Sequence, residues 1–190
     1  SKYINKHDRS ARVLFGDGAA VCVVKRTVNS NKLFSVDFTT SGKNHNLFYI
    51  PAGGNRLPLT SSTSQEVLDE MGNIRSQENI YMDGLGVWSF INTAVPKQIY
   101  SLLDQHSLKT SDIDLFVFHQ ASKLTLDSLI RMLKIEKDQV FINIGNIGNT
   151  VSASIPIAIK DAVEQGKLKK GQKILISGFG VGMSCGAILM

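Results

Sequence analysis

The chain has 190 residues, of which 43% are hydrophobic and 19% are charged, and this composition suits one globular domain rather than a disordered segment. Two cysteines are too few for a disulfide scaffold, and no apolar run approaches the roughly 20 residues that a membrane span needs. The net charge of +5 comes from 21 basic and 16 acidic residues spread along the chain, which favours an acidic partner or an anionic ligand over nucleic acid. Because residues 1–10 are polar and do not resemble a secretory signal, we expect a cytoplasmic protein.

The first predicted element is a β-hairpin. Residues 13–15 and 19–24 are rich in strand-forming residues and flank Gly16-Asp17-Gly18, a turn sequence that tolerates positive φ. Residues 33–38 alternate between apolar and polar side chains and predict another strand. Residues 39–84 show no sustained period, so we expect a long irregular segment there.

Some short helix is expected near residues 64–71, inside that segment. The next apolar residues recur at helical spacing over residues 87–103, and Pro96 is expected to bend this helix or to divide it in two.

Strands and helices then alternate to the end of the chain. Strands are predicted at residues 114–118, 139–144, 173–177 and 184–190, and helices around 126–133 and 154–165. Ser154 is the candidate cap of the second of these helices, and Gly166 is its stop. This order predicts an α/β domain whose helices pack on a mostly parallel sheet with an antiparallel end.

The two cysteines, Cys22 and Cys185, both lie in apolar, strand-like sequence. Such surroundings predict buried and unreactive thiols. Neither cysteine has partners at metal-ligand spacing, so we expect no metal site.

Three unusual segments each follow a predicted strand: His119-Gln120-Ala121, residues 145–150 and residues 178–182. Ligands gather at the carboxyl ends of strands in open α/β sheets, so neighbouring strand tips would converge on one crevice. An imidazole, a carboxamide and a backbone amide that meet there can stabilise negative charge on a substrate oxygen. Each segment alone also has a structural explanation: a satisfied core histidine, an asparagine that caps a turn, and glycines that permit a tight turn.

Taken in chain order, these segments resemble the carboxy-terminal motifs of β-ketoacyl-acyl-carrier-protein synthase III. The matching motifs are His119-Gln120-Ala121, Gly148-Asn149-Thr150 with the following Ser152 to Pro156, Gly178 to Gly182, and the earlier Phe15-Gly16-Asp17-Gly18-Ala19. The resemblance extends over residues 12–190 and is weakest in residues 39–84.

The resemblance implies a thiolase-like layered α/β fold, of which this chain is mainly the C-terminal half, with a mixed sheet packed by helices. Residues 1–11 would then be a remnant of the preceding half, and residues 12–190 the C-terminal domain with a long irregular insertion at 39–84. The family's nucleophilic cysteine lies in the other half, and nothing in this sequence matches its surroundings. We therefore expect this chain to be inactive alone.

The resemblance also implies roles for four residues at the site. His119 and Asn149 would be catalytic, because they would hydrogen-bond the malonyl thioester carbonyl during decarboxylation. The backbone amide of Val181, where the family usually has glycine, would help to form an oxyanion hole, and Phe179 would line the pocket. No metal or organic cofactor is required.

Carrier docking is predicted at Lys123 and Arg131. Both lie on the polar face of the helix after His119, opposite its leucines, where they would meet the acidic surface of acyl-carrier protein. The alternative is an ordinary solvated face of an amphipathic helix. Leu124 also departs from the family, which often has a basic residue at that position.

The leading hypothesis is the C-terminal part of a 3-oxoacyl-[acyl-carrier-protein] synthase III. The intact enzyme would condense an acyl-CoA primer with malonyl-acyl-carrier protein in fatty-acid biosynthesis, as a homodimer completed by the N-terminal half. One alternative is a related thiolase-fold acyltransferase of secondary lipid, quinolone or polyketide synthesis. The other is a non-catalytic module for dimerisation or carrier docking.

Overall fold

The structure is a computed structural model that describes residues 2–25 and 35–190 of the chain. Its α-helices are α1 (Gly84–Gln105), α2 (Lys123–Leu133), α3 (Ile144–Ile147) and α4 (Ser154–Glu164). None of these helices is long and apolar enough to cross a membrane.

A four-stranded sheet lies at the centre of the fold. In spatial order its strands are β1 (Ser35–Thr40), β8 (Ser184–Leu189), β7 (Ile174–Gly180) and β6 (Leu115–Phe118). Strand β6 runs parallel to β7, whereas β8 runs antiparallel to both of its neighbours. The sheet is therefore mixed, as the resemblance implies. The expectation of a mostly parallel sheet was wrong, because only one of the three described pairings is parallel.

Helices cover the sheet from both faces, since alternate residues of its strands point to opposite sides. Phe116 and Phe118 of β6 belong to a core with the apolar faces of α1 and α2. Leu115 and Val117 of the same strand pack instead with Ala158 and Ala162 of α4. The sheet thus separates two hydrophobic cores, and the ends of its strands are held between layers of helix.

Helix α1 continues through Pro96 without division into two helices. A proline inside a helix costs about 3 kcal/mol. Buried side chains lie on both sides of it, among them Ile91, Val95, Ile99 and Leu102. Their burial stabilises one continuous helix by more than the proline destabilises it.

The predicted hairpin at residues 13–24 does not form. Phe15 makes an isolated parallel bridge with Asn149, and residues 19–24 form no regular strand. Val21 and Val24 are each 93% exposed, and Cys22 is exposed too, so the expectation that both cysteines are buried was wrong for Cys22. The first arm of the expected hairpin pairs with the loop of Asn149 instead of with a second arm.

Of the strand predicted at 33–38, residues 33 and 34 lie outside the described residues, and the rest is in β1.

The strand predicted at residues 139–144 is also absent, and only one bridge joins Val140 to Phe116 of β6. The amides of Asn143 and Ile144 donate to the side-chain oxygen of Gln120, at 3.1 and 3.2 Å. These side-chain hydrogen bonds take the place of a strand ladder.

Residues 39–84 contain two small antiparallel pairs of strands. Strand β2 (Phe48–Tyr49) pairs with β5 (Tyr81–Met82), and β3 (Val67–Leu68) pairs with β4 (Ile74–Arg75). The helix expected near residues 64–71 was therefore wrong, because its centre is strand β3. The Asp69 carboxylate accepts from the Asn73 amide at 2.8 Å and so stabilises a turn between β3 and β4.

Residues 2–11 pack against this same segment. The Asp8 carboxylate, almost fully buried, forms an ion pair with Arg75 at 2.8 Å. The Ile80 amide donates to the Tyr3 carbonyl at 2.8 Å, and the Arg9 amide donates to Asn73 Oδ1 at 3.1 Å. Polar contacts therefore anchor the start of the described chain.

Candidate active site

His119 directly follows β6, where the parallel pairing with β7 ends. Its amide donates to the Ser177 carbonyl at 2.8 Å, which fixes the backbone beside the strand tip. The imidazole Nδ1 lies 2.6 Å from Ser154 Oγ, and the ring meets Phe179 edge-on, with centroids 5.5 Å apart. Within the described chain Nε2 has no hydrogen-bond partner, so this nitrogen is available to a substrate.

Burial lowers the pKa of His119 from 6.5 to about 4, because desolvation disfavours the charged imidazolium. The imidazole is therefore neutral near pH 7. A neutral imidazole carries one N–H donor and one lone-pair acceptor, so His119 can donate one hydrogen bond without bearing a charge.

Asn149 is buried, and the surrounding backbone fixes its carboxamide. Its Oδ1 accepts from the Val151 amide at 2.9 Å, and its Nδ2 donates to the Ala121 carbonyl at 3.2 Å. A carboxamide nitrogen carries two hydrogens, so one of them has no partner among the described residues. The bond to Ala121 also ties Asn149 to the loop that carries His119.

Two cavities meet at these side chains. They measure about 640 and 740 Å³, and both are lined by His119, Asn149 and Phe179. The first cavity is walled by the amino-terminal parts of α1 and α2, including Trp88 and Leu124. The segments of His119, Asn149 and Phe179, which were predicted to converge, therefore border the same two cavities.

Val181 lies at the edge of this hollow. It lines the second cavity only, and its side chain is largely exposed. Strand β7 extends to Gly180, so the glycine-rich segment is mostly strand, and the turn that follows begins at Val181. The structure therefore places Val181 beside the site, while Gly180 lines both cavities.

Gln120 joins the two catalytic segments although its side chain is fully buried away from the cavities. Its Nε2 donates to the carbonyls of Phe118 and Phe141, at 2.9 and 3.3 Å. Its Oε1 accepts the two amides of residues 143 and 144 described above. All four hydrogen-bonding positions of the carboxamide are thus used to hold the loop after β6 against the loop that leads to Asn149.

Ser154 is the residue that sequence reasoning placed incorrectly. It was predicted to cap α4, but it is the first helical residue, and the cap residue Ala153 makes no side-chain bond. Its hydroxyl contacts His119 instead, 35 residues away in the sequence. No local pattern signals such a long-range contact.

Lys123 and Arg131 lie on the exposed face of α2, opposite the buried leucines, as predicted. Lys123 Nζ is 2.5 Å from Asp127 Oδ2, one helical turn along the face. Hydrogen bonding from Lys123 lowers the pKa of the Asp127 carboxyl. The basic charge of this face is therefore partly balanced by an acidic neighbour.

Two further features of the described chain bear on its chemistry. Cys185 is buried beside the second cavity, and burial raises the pKa of its thiol to about 11, which disfavours the nucleophilic thiolate. No group of three or more metal-ligating side chains occurs in residues 2–25 and 35–190.

Comparisons with known proteins show which family this chain resembles. The family described as "3-Oxoacyl-[acyl-carrier-protein (ACP)] synthase III C terminal" matches residues 103–190, and "3-Oxoacyl-[acyl-carrier-protein (ACP)] synthase III" matches residues 1–42. The β-ketoacyl-[acyl-carrier-protein] synthase III of Clostridioides difficile is 34% identical over 98% of this chain and 54% of the relative. That of Microcystis aeruginosa is 34% identical over 100% of this chain and 55% of the relative.

Solved structures of 3-oxoacyl-(acyl-carrier-protein) synthase III enzymes are also similar to this chain. A 2.1 Å crystal structure of a 3-oxoacyl-(acyl-carrier-protein) synthase III has a TM-score of 0.89 and 32% identity, over 100% of this chain and 56% of that one. The Aquifex aeolicus enzyme has a TM-score of 0.78 and 30% identity, over 99% and 53%. The expected thiolase-like α/β fold is therefore confirmed. The chain spans about half the length of the curated relatives that it matches.

Proposed function

We propose a function for this chain from its family: it belongs to the 3-oxoacyl-[acyl-carrier-protein] synthase III family, and in the intact protein it would stabilise the enolate of a decarboxylative condensation. The observation that carries the proposal is that His119, Asn149 and Phe179 line the same two adjoining cavities. The acceptor would be an acyl group carried from acyl-CoA on a cysteine outside this chain.

The reaction requires a hydrogen-bonded oxygen. When malonyl-acyl-carrier protein loses carbon dioxide, the electrons of the broken carbon–carbon bond move onto the thioester carbonyl and form an enolate. The enolate carbon then attacks the acyl-cysteine carbonyl, a new carbon–carbon bond forms, and the cysteine leaves as its thiolate. Negative charge therefore develops first on the thioester oxygen, which is where donors are needed.

His119 and Asn149 provide donors of the required kind. The neutral imidazole has an unoccupied Nε2, and the Asn149 carboxamide retains one hydrogen without a described partner. Both groups are already held by neighbouring hydrogen bonds, so little reorganisation is needed when the charge forms. One such donor contributes about 3–4 kcal/mol to the transition state.

Phe179 and Val181 would complete the site. Phe179 packs its ring against His119 and presents an apolar wall, which disfavours a charged carboxylate and assists its loss. The Val181 backbone amide, in the turn after β7, would stabilise the oxyanion of the acyl-cysteine carbonyl.

The experiment is a pair of half-reactions on the intact protein. His119→Ala and Asn149→Ala should each reduce decarboxylation of malonyl-acyl-carrier protein by about a hundred- to thousandfold. Acylation of the cysteine by acyl-CoA should be much less affected. Asn146→Ala is the matched control, because Asn146 is exposed on α3 three residues before Asn149. Near-wild-type decarboxylation in both active-site variants would show the proposed roles to be wrong.

Carrier docking on Lys123 and Arg131 is a separate proposal. Both residues are exposed and basic on α2, the helix whose first turn lines the first cavity, and such a position suits an acidic carrier. Lys123→Glu combined with Arg131→Glu should raise the KM for malonyl-acyl-carrier protein by about tenfold, equivalent to about 1.4 kcal/mol. The control is Lys160→Glu with Lys167→Glu, which changes the net charge equally on α4 and the loop after it. An unchanged KM in the α2 variant would contradict docking at this face.

The assembly follows from the same family resemblance. We propose that the intact protein is a cytoplasmic homodimer, in which residues 12–190 form the C-terminal domain, residues 1–11 belong to the preceding half, and 39–84 is an insertion. Fatty-acid biosynthesis is the proposed pathway, with acyl-CoA and acyl-carrier protein as partners.

A further inference from the structure

We propose that Ser154 is a positioning residue that keeps the hydrogen of the His119 imidazole on Nε2, the nitrogen available to substrate. This inference rests on the proposed function, because it explains how His119 presents a donor to the thioester oxygen. The observation behind it is that His119 Nδ1 lies 2.6 Å from Ser154 Oγ, while Nε2 has no partner in the described chain.

The other hydrogen bond of the Ser154 hydroxyl decides which atom donates in its contact with His119. The Gln120 amide donates to Ser154 Oγ at 3.3 Å, so the oxygen already acts as an acceptor there. A serine hydroxyl has one hydrogen of its own. Among the described residues, the only acceptor that this hydroxyl contacts is His119 Nδ1.

The opposite direction is less favourable. If Nδ1–H donated to Ser154 Oγ, the hydroxyl hydrogen would have no described acceptor although Ser154 is fully buried. A buried donor without a partner is unfavourable. Ser154 therefore donates to Nδ1, and in a neutral imidazole the hydrogen must then be on Nε2.

The tautomer matters for the proposed chemistry. With the hydrogen on Nε2, the ring donates to the oxygen on which charge develops. With the hydrogen on Nδ1, Nε2 would present a lone pair to that oxygen and repel it. Loss of the Ser154 hydroxyl removes the interaction that separates these two forms, so Ser154 acts on the reaction through His119.

The test begins with the wild-type intact protein labelled with ¹⁵N-histidine, at neutral pH. The His119 signals are assigned by their loss in His119→Gln. We expect a pyridine-type Nδ1 and a pyrrole-type Nε2. A pyrrole-type Nδ1 in the wild type would overturn the proposal without any Ser154 variant.

Substitutions provide the second part of the test. Ser154→Ala should mix the two tautomers in the ¹⁵N spectrum and reduce the kcat of decarboxylation by about 10- to 100-fold, the range found when a group that orients a metal-bound histidine is removed. KM should change little. Ser154→Thr keeps the hydroxyl and should retain the wild-type spectrum.

Ser177→Ala is the matched control. Ser177 is as fully buried as Ser154 and also contacts His119, but only through its backbone carbonyl, and its hydroxyl has no described partner. The control should leave both the spectrum and kcat unchanged. An unaltered His119 spectrum in Ser154→Ala would refute the inference. If His119→Ala retained decarboxylation, the proposed function would fail instead, while the spectrum would still decide the tautomer.

Discussion

The backbone of Gly16 lies directly against the backbone of Asn149. The Gly16 amide donates to the Asn149 carbonyl at 3.0 Å, and the Asn149 amide donates to the Leu14 carbonyl at 2.8 Å. A Cβ atom on Gly16 would stand 2.1 Å from the Ile147 carbonyl oxygen. Glycine is therefore required for this close approach, which holds the loop that carries Asn149.

Gly16→Ala should move that loop, because the obstructing atom belongs to the backbone and has no rotamer to change. We expect the free energy of unfolding to fall by about 1–3 kcal/mol. Decarboxylation should fall by about a hundredfold, since a small misplacement of a catalytic group has an effect of that size. Chemical denaturation and the decarboxylation assay on the intact protein measure the two effects.

Gly42→Ala is the control for this substitution. Gly42 begins a 3-10 helix, and an added Cβ there would meet nothing within 4 Å. Its unfolding free energy should stay within about 0.5 kcal/mol of wild type. Equal losses in the two variants would mean that the contact with Ile147 is not the cause.

Gln120→Glu should be strongly destabilising even though the side chain keeps its shape. The two Nε2 donors to the Phe118 and Phe141 carbonyls are lost, and a charge enters a fully buried position. Each buried carbonyl without a partner costs about 1–3 kcal/mol, so we expect a loss of at least about 3 kcal/mol in urea denaturation.

Gln65→Glu makes the same chemical change at an exposed position in the segment between residues 39 and 84. Its unfolding free energy should differ from wild type by no more than about 0.5 kcal/mol. If Gln120→Glu were as stable as this control, Gln120 would not join the two loops as described.

The sequence predicted the parts of the fold that depend on local periodicity. Helix α2 and strand β6 lie close to their predicted positions, because the side chains that define their apolar faces are neighbours in the sequence. His119 and Asn149 line the same cavities, as predicted, although only His119 follows a strand and Asn149 follows helix α3.

The errors share a physical cause, which is hydrogen bonding between distant segments. The Gln120 side chain accepts a backbone amide that a strand at 139–144 would have used in its ladder. Phe15 forms its bridge with Asn149 instead of with the second arm of a hairpin. The Ser154 hydroxyl bonds His119 rather than its own helix. Such pairings depend on tertiary position, which residue type and spacing do not encode.

Acid should destabilise the protein through His119. In the unfolded chain this histidine gains a proton near pH 6.5, whereas in the folded protein burial delays protonation to about pH 4. The unfolded state therefore binds more protons in this window, and stability falls as the pH is lowered from about 6.5 to about 4. The full contribution is up to about 3 kcal/mol.

Denaturation of wild type and His119→Asn at several pH values measures this contribution by difference. The His119→Asn variant should lose less stability between pH 6.5 and 4, because it retains the acidic residues but not this histidine. At pH 7 and above the difference between the two proteins should be constant. Parallel losses in both proteins below pH 6.5 would contradict a buried, neutral His119.

Val151 has a positive φ of 54°, a conformation that is unfavourable for a β-branched residue, while its amide donates to Asn149 Oδ1. Val151→Gly keeps this amide and relieves about 1–2 kcal/mol of backbone strain. Glycine also raises the entropy of the unfolded chain, which offsets part of that gain in stability. We expect the variant to be as stable as wild type or up to about 1 kcal/mol more stable in denaturant titration.

Val163→Gly is the matched control, because both valines are 54% exposed but Val163 lies in regular helix α4. Glycine there should destabilise by about 0.5–1 kcal/mol, and a similar loss in Val151→Gly would show that the backbone at Val151 is not strained.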